Sequence, residues 1–155
     1  MTDFSNLLQR SVVFDNLQAD SRQGVLRKLS EALGEQTELD SRIIHEAITE
    51  RERLGSTGVG DGVAIPHVRL EGLSAPVGAF ARLASPVDFE SIDDRHCDLV
   101  FMLLAPERAG SDHLRALAQV SRAFRNSSFR EQLREQDADL VALLGAGDET
   151  TGQAA

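Results

Sequence analysis

The ten residues from Cys97 to Pro106, CDLVFMLLAP, constrain this chain more than any other stretch. The run is apolar at odd and even positions alike, whereas a strand with one wet face alternates. It predicts a central strand covered on both faces, with helices as the covering layers. Its apolar core, Leu99 to Ala105, is far shorter than the roughly 20 residues that span a bilayer, so no membrane insertion is expected.

Helical spacing supplies those layers. Val25, Leu26, Leu29, Ala32 and Leu33 recur every three or four residues, with Ser21 as N-cap and Gly34 as the stop. A second helix starts near Asp40 and ends near Leu54-Gly55. It carries Ile43, Ile44, Ala47 and Ile48 on one face and Arg42, His45, Glu46, Thr49 and Glu50 on the other. Leu114, Leu117, Ala118, Ser121 and Phe124 mark a third, with Ser111 or Asp112 as its cap. A fourth starts near Asn126, where Ser128 and Glu131 have capping-box spacing, and a fifth covers roughly Asp137 to Leu144. Between the two helical blocks lie the short strand Val63-Ala64-Ile65 closed by Pro66, the alternating PVGAFARL, the turn-rich ASPVDFESIDDRH and the central run. Short turns between the first strands forbid a purely parallel arrangement. The fold class is therefore α/β: a mixed β-sheet flanked by helices, an α/β sandwich. Its 155 residues suit a single domain, 1–146, with 147–155 as a mobile tail lacking large apolar anchors.

The net charge of -9, with Lys28 the single lysine and no basic run, excludes a nucleic-acid partner, which needs a clustered basic face. The N-terminus has no charged leader before an apolar core, and the lone Cys97 cannot form an intrachain disulfide. Both features point to the cytoplasm.

The glycine-rich GSTGVGDG is not a phosphate-cradling P-loop, because no Gly-Lys-Ser/Thr opens a helix there. Gly58-x-Gly60-x-Gly62 also lacks the dinucleotide spacing and a preceding strand, so no cofactor is expected. His67, His96, Cys97 and His113 lack the paired short spacings of a structural zinc site, so no metal is expected. Ser56 has no nucleophile-elbow context.

His67 stands out because Pro66 ends the ladder before it and presents the imidazole at a sheet edge. A neutral ring there is either a structural histidine or a nucleophile toward a phosphoryl group. Arg51 lies four residues after Ala47 and seven after Ile44, at the inward end of the second helix. It needs an anionic partner, either one of the chain's carboxylates or a phosphate. His113 sits in the first turn of SDHLRALAQV, where the helix dipole keeps the ring neutral. It is either surface or a hydrogen-bond donor to a phosphoryl oxygen or a neighbouring ring. His45 and His96 are assigned to solvent, and Cys97 to a small buried hydrophobe.

Together, RERLGSTGVGDGVAIPH and SDHLRALAQV resemble the enzyme IIA family of the bacterial phosphotransferase system, of the fructose/mannitol/nitrogen-regulatory type. The form GSTG-x-G-x-G-x-AIPH is most similar to the nitrogen-regulatory members. The resemblance spans nearly the whole chain, from Ser21 to about Leu144, and implies that family's architecture. It implies His67 as phosphoacceptor, Arg51 as phosphate-stabilising residue and His113 as supporting histidine. The implied donor is a phosphohistidine carrier protein of the nitrogen branch, itself charged from phosphoenolpyruvate by an enzyme I, and regulatory target proteins would read the result. The chain departs from the family at Val68, where a smaller residue usually follows the histidine.

On this reading neutral His67 attacks the donor's phosphorus in line, while Arg51 and backbone N–H groups of the glycine-rich loop hold the transferring oxygens. Two other roles fit the same residues. One is a sugar-specific IIA subunit that passes the phosphoryl group to a IIB partner; the other is a regulatory binding module that is not phosphorylated.

Overall fold

The computed structural model describes residues 7–8, 10–108 and 111–153, with side chains omitted at 111–112 and from 147 onward. The elements in chain order are β1 (Val12–Leu17), α1 (Arg22–Thr37), α2 (Ser41–Arg53), β2 (Gly58–Gly60), β3 (Val63–Ala64), β4 (His67–Leu70), β5 (Val77–Val87), β6 (Cys97–Pro106), α3 (Ser111–Arg125), α4 (Ser127–Arg134) and α5 (Leu140–Gln153). The sheet order is β1-β5-β6-β3-β2, with β4 also paired to β6. β5–β6 and β2–β3 run antiparallel, and β1–β5, β3–β6 and β4–β6 run parallel, as a mixed sheet requires.

Strand β6 is central, and its two parities feed two cores. Val100, Met102 and Leu104 pack with Val25, Leu29, Ile44 and Ile48 from α1 and α2. Leu99, Phe101 and Leu103 pack with Ala116, Val120, Phe124 and Leu133 from α3 and α4. All six of these β6 side chains are fully buried. At roughly 1.5–3 kcal/mol for each large apolar side chain removed from water, this strand anchors both layers.

Three strands were not expected: β1, β2 and β4 are short or irregular, and β1 bends at Asn16, whose φ is 60°. Ser21 caps α1 as predicted, its Oγ accepting from the Gly24 N–H at 3.1 Å. The helix does not stop at Gly34 but continues to Thr37, with Glu38 in the left-handed region. Gly34 serves instead as a close-approach position, since a Cβ there would lie 2.9 Å from that of Ser41. Asn126, not Ser128, caps α4, accepting from the Phe129 N–H at 3.1 Å. Helix α5 starts at Leu140 rather than near Asp137, with the Asp139 carboxylate accepting from Ala142 N–H at 3.2 Å. Its backbone runs on to Gln153, into the stretch expected as a tail. The capping side chains expected at Ser111 and Asp112, and residues 154–155, lie outside the described residues. Among the described residues no helix is long and apolar enough to cross a membrane.

On β5 the backbone of Gly78 is closely packed: a Cβ there would meet the buried Phe101 ring at 2.5 Å. An alanine normally stabilises a strand relative to glycine by restricting the unfolded chain. Here overpacking outweighs that gain, because Phe101 is fully buried and packs against Phe124. Gly78→Ala is expected to destabilise by about 1–3 kcal/mol, read as a lower urea midpoint at unchanged slope. An unchanged midpoint would mean that the ring relocates freely.

Candidate functional site

Pro66 has no N–H to give the ladder along β6. Ala64 is level with Val100 and His67 with Leu103, so Ile65 and Pro66 bridge a gap between two short strands. The bridge is pinned on both sides: the Ile65 N–H donates to Thr57 O at 2.9 Å, and the Leu103 N–H donates to Pro66 O at 2.8 Å. His67 therefore does not follow the end of the sheet but opens a new strand, β4, which pairs with β6. Its register partner Leu103 belongs to the α3-side core, whereas Val68 pairs with Leu104 and packs against the α1/α2-side core. Alternation along β4 thus sends the bulk of Val68 mainly inward.

The half-buried His67 ring makes one hydrogen bond among the described residues, with Nδ1 2.6 Å from Ile65 O. A carbonyl only accepts, so Nδ1 carries the hydrogen and Nε2 keeps the lone pair. Burial lowers the ring's pKa below the ordinary value, and the nearby Arg51 charge acts in the same direction. The Ile65 bond and the Glu52 carboxylate act against that shift.

His113 opens α3 half-buried, with its ring centroid 5.9 Å from that of His67 and the planes tilted by 35°. Its pKa is lowered as well, first by burial and then by the neighbouring His67 and Arg69. Burial, rather than the helix dipole invoked from sequence, is the leading cause. Its Nδ1 is buried without a hydrogen-bond partner among the described residues.

These two rings share an open cleft of about 520 Å³ with Arg51, Val68, Arg69, Glu107 and Leu114. Arg51 lies in the last turn of α2 and donates from Nη1 to Gly55 O at 3.1 Å. Among the described residues it makes no ion pair, so the carboxylate partner weighed from sequence is not there. The residue that continues the apolar stripe inward is Glu52, four residues after Ile48 and eight after Ile44, and it is 4% exposed.

Two side chains of this region were missed from sequence. Arg69 is exposed in the cleft and follows His67 by two residues on one strand, so both sit on one face. A strand assigned at His67–Leu70 would have found it. Glu52 was hidden because charged residues are seldom fully buried, although its spacing from Ile44 and Ile48 was legible.

The other residues weighed from sequence lie away from this cleft, some as expected and some not. The glycine-rich loop does not line it. Gly58 N–H donates to Ser56 Oγ at 3.0 Å and Asp61 N–H to Asp93 Oδ2 at 3.0 Å, so these donors are committed elsewhere. Gly58 lies against Ser91, and Gly62, with a φ of 77°, against Arg134 and Asp98, so these glycines serve packing and turns. His96 is exposed and Cys97 is buried, with Ser91 Oγ at 3.4 Å and its thiol pKa raised by burial. Neither joins His67 and His113. His45 is half-buried, with Nε2 buried and without a hydrogen-bond partner among the described residues, rather than solvated.

The geometry is thus two adjacent imidazoles, both with pKa values lowered by burial and one with its Nδ1 hydrogen-bonded to Ile65 O, beside the guanidinium groups of Arg51 and Arg69. Comparison with known proteins gives this arrangement a lineage. Residues 6–145 match the family described as phosphoenolpyruvate-dependent sugar phosphotransferase system, EIIA 2. A nitrogen regulatory protein of Bradyrhizobium diazoefficiens is 42% identical over 138 residues, covering 88% of this chain and 90% of that protein. The crystal structure of nitrogen regulatory protein IIA-Ntr from Neisseria meningitidis superposes with a TM-score of 0.79 at 34% identity, covering 88% of this chain and 94% of that one. The IIA mannitol structure from Escherichia coli shares the fold, with a TM-score of 0.72 at 20% identity over 88% of this chain and 96% of that one. By sequence over nearly its whole length and by fold, the chain belongs to the EIIA 2 family of the phosphoenolpyruvate-dependent sugar phosphotransferase system.

Proposed function

We propose that the protein accepts a phosphoryl group on His67 Nε2 from the phosphohistidine of a carrier protein, and that its phosphorylation state regulates nitrogen, ion or carbon metabolism through target proteins. The observation that carries this reading is the hydrogen bond from His67 Nδ1–H to Ile65 O, which leaves Nε2 with its lone pair in a cleft that also holds Arg51. In the transfer, the donor N–P bond breaks as the Nε2–P bond forms. The donor ring leaves as neutral imidazole with the electron pair of the broken bond, and His67 keeps its Nδ1 proton. Arg51 and Arg69 face the phosphoryl oxygens, a setting in which the planar guanidinium fork binds well. His113, neutral and beside the acceptor ring, is placed to donate to a phosphoryl oxygen. The new phosphate brings up to about two negative charges to a locally cationic cleft on an acidic protein, which changes the partners that this face attracts. The regulatory role draws support from the 42% identical nitrogen regulatory protein, and a cytoplasmic setting agrees with a donor charged from phosphoenolpyruvate.

Incubation with phosphoenolpyruvate, enzyme I and the carrier should add one acid-labile phosphoryl group, seen by intact mass; an unmodified protein would overturn the reading. The pH dependence has a definite sign. The acceptor must be neutral, and burial lowers the pKa of His67, so neutrality persists below the ordinary midpoint of about 6.5. With the donor held fully phosphorylated, the uptake rate should fall on acidification with a midpoint below about 6.5. A decline centred at or above about 6.5 contradicts a neutral, partly buried acceptor.

A further inference from the structure

We propose that Glu52 is a positioning residue for His67, acting through the backbones of Thr57 and Ile65; this rests on the reading of His67 as phosphoacceptor. The Glu52 carboxylate is buried at the end of the Ile44–Ile48 stripe, and three donors converge on it. Arg22 Nη1 reaches Oε2 at 3.3 Å, Thr57 N–H reaches Oε2 at 3.2 Å, and the Thr57 hydroxyl donates to Oε1. Thr57 O in turn accepts from Ile65 N–H at 2.9 Å, and Ile65 O accepts from His67 Nδ1–H at 2.6 Å. The bonds run head to tail from the imidazole to the carboxylate, so the residue that fixes Thr57 also fixes the carbonyl that selects the ring's tautomer.

A structural role alone would need only the shape of this side chain, and a glutamine could provide it. The charge adds a chemical role. When Nε2 is phosphorylated and Nδ1 keeps its proton, the ring takes on cationic character, which the negative field of Glu52 favours and the Arg51 charge opposes. Arg22 moderates that field, since its guanidinium also bonds Phe89 O at 3.4 Å and the exposed Glu90 at 3.1 Å. The other charged or titratable groups of the cleft, Arg51, Arg69, Glu107 and His113, are untouched by changes at residues 22 and 52.

The test uses the full chain carrying Glu52→Gln or Arg22→Gln, with 15N and 1H NMR of the imidazoles against pH. Glu52→Gln should move the His67 midpoint to lower pH, reduce the Nδ1–H tautomer fraction and slow phosphoryl uptake by about tenfold, as expected when a charged hydrogen-bond partner becomes neutral. Arg22→Gln, which leaves the carboxylate less compensated, should move the midpoint to higher pH. If Glu52→Gln does not fold, the sign of the Arg22→Gln shift decides. A His67 midpoint and tautomer unchanged in the folded Glu52→Gln protein, or an Arg22→Gln midpoint that does not rise, overturns the proposal. The titration needs no phosphorylation: a wild-type protein that takes up no phosphoryl group would sink the acceptor reading and leave this measurement intact.

Discussion

His67→Ala should take up no phosphoryl group from the carrier protein under conditions in which the wild type becomes modified. The substitution removes the Nε2 lone pair, and no other ring in the cleft replaces it. His113 is the nearest candidate, yet its ring centroid lies 5.9 Å away, too far to occupy the position of the acceptor nitrogen. In-line transfer requires reacting atoms about 3–3.5 Å apart in an aligned geometry, so a displacement of that size ends the reaction rather than slowing it. The fold should survive, because β4 is held by its own backbone pairing to β6, and the bond from Leu103 N–H to Pro66 O at 2.8 Å does not involve the imidazole. Ile65 O loses its donor, but the space vacated by the imidazole, which lines the cleft, can admit a water in that place. Intact mass after exposure to the charged carrier, with circular dichroism as control, decides the matter. A single acid-labile phosphate on folded His67→Ala would show that the acceptor is a different residue.

How far the sequence foretold this site depends on which physical signal each part carries. The central strand was legible because apolar residues at both parities of CDLVFMLLAP admit few alternatives to a doubly covered strand, and Leu99 and Val100 do divide between the two cores. The helices were legible from their spacing, with end errors where capping competed: Asn126 rather than Ser128, and Thr37 rather than Gly34. The two-residue β3 was legible from its apolar run before Pro66, whereas strands β2 and β4 have three and four residues, too few for periodicity to register, and that proline obscured the ladder that resumes after it. That hid Arg69, because its place beside His67 depends on β4 being a strand. The inward end of α2 was assigned to Arg51, while the buried position belongs to Glu52. Helical phase alone cannot separate adjacent residues at the rim of an apolar stripe, and only the donors from Arg22 and Thr57 make burial of a carboxylate tolerable there. The glycines of the GSTGVGDG stretch were read toward phosphate because glycine permits close approach. In the fold that approach is made to Ser91, Arg134 and Asp98.

Arg51→Ala should slow phosphoryl uptake by about 10²–10³-fold, the range seen when one preorganised donor to developing charge is removed from an active site. The side chain is free for this task. It commits one N–H to Gly55 O at 3.1 Å, makes no ion pair among the described residues, and lines the cleft with His67. Removing its charge also relieves the pressure that keeps the His67 ring deprotonated, so the pH profile should shift toward higher pH as the rate falls. These two effects together distinguish loss of a phosphate ligand from a change in acceptor basicity alone, which would make the nitrogen a better nucleophile. Unfolding does not account for the loss either. Alanine suits the last turn of α2, and the forfeited interaction between a cation and the helix C-terminus is worth about 0.3–1 kcal/mol. Arg51→Lys should recover part of the rate, since a lysine supplies the charge but not the two-pronged geometry that a phosphoryl group accepts. Initial rates measured with excess phosphorylated carrier are the direct check. A folded Arg51→Ala protein within twofold of wild type would remove this arginine from the transfer step and leave Arg69 as the guanidinium that meets the phosphate.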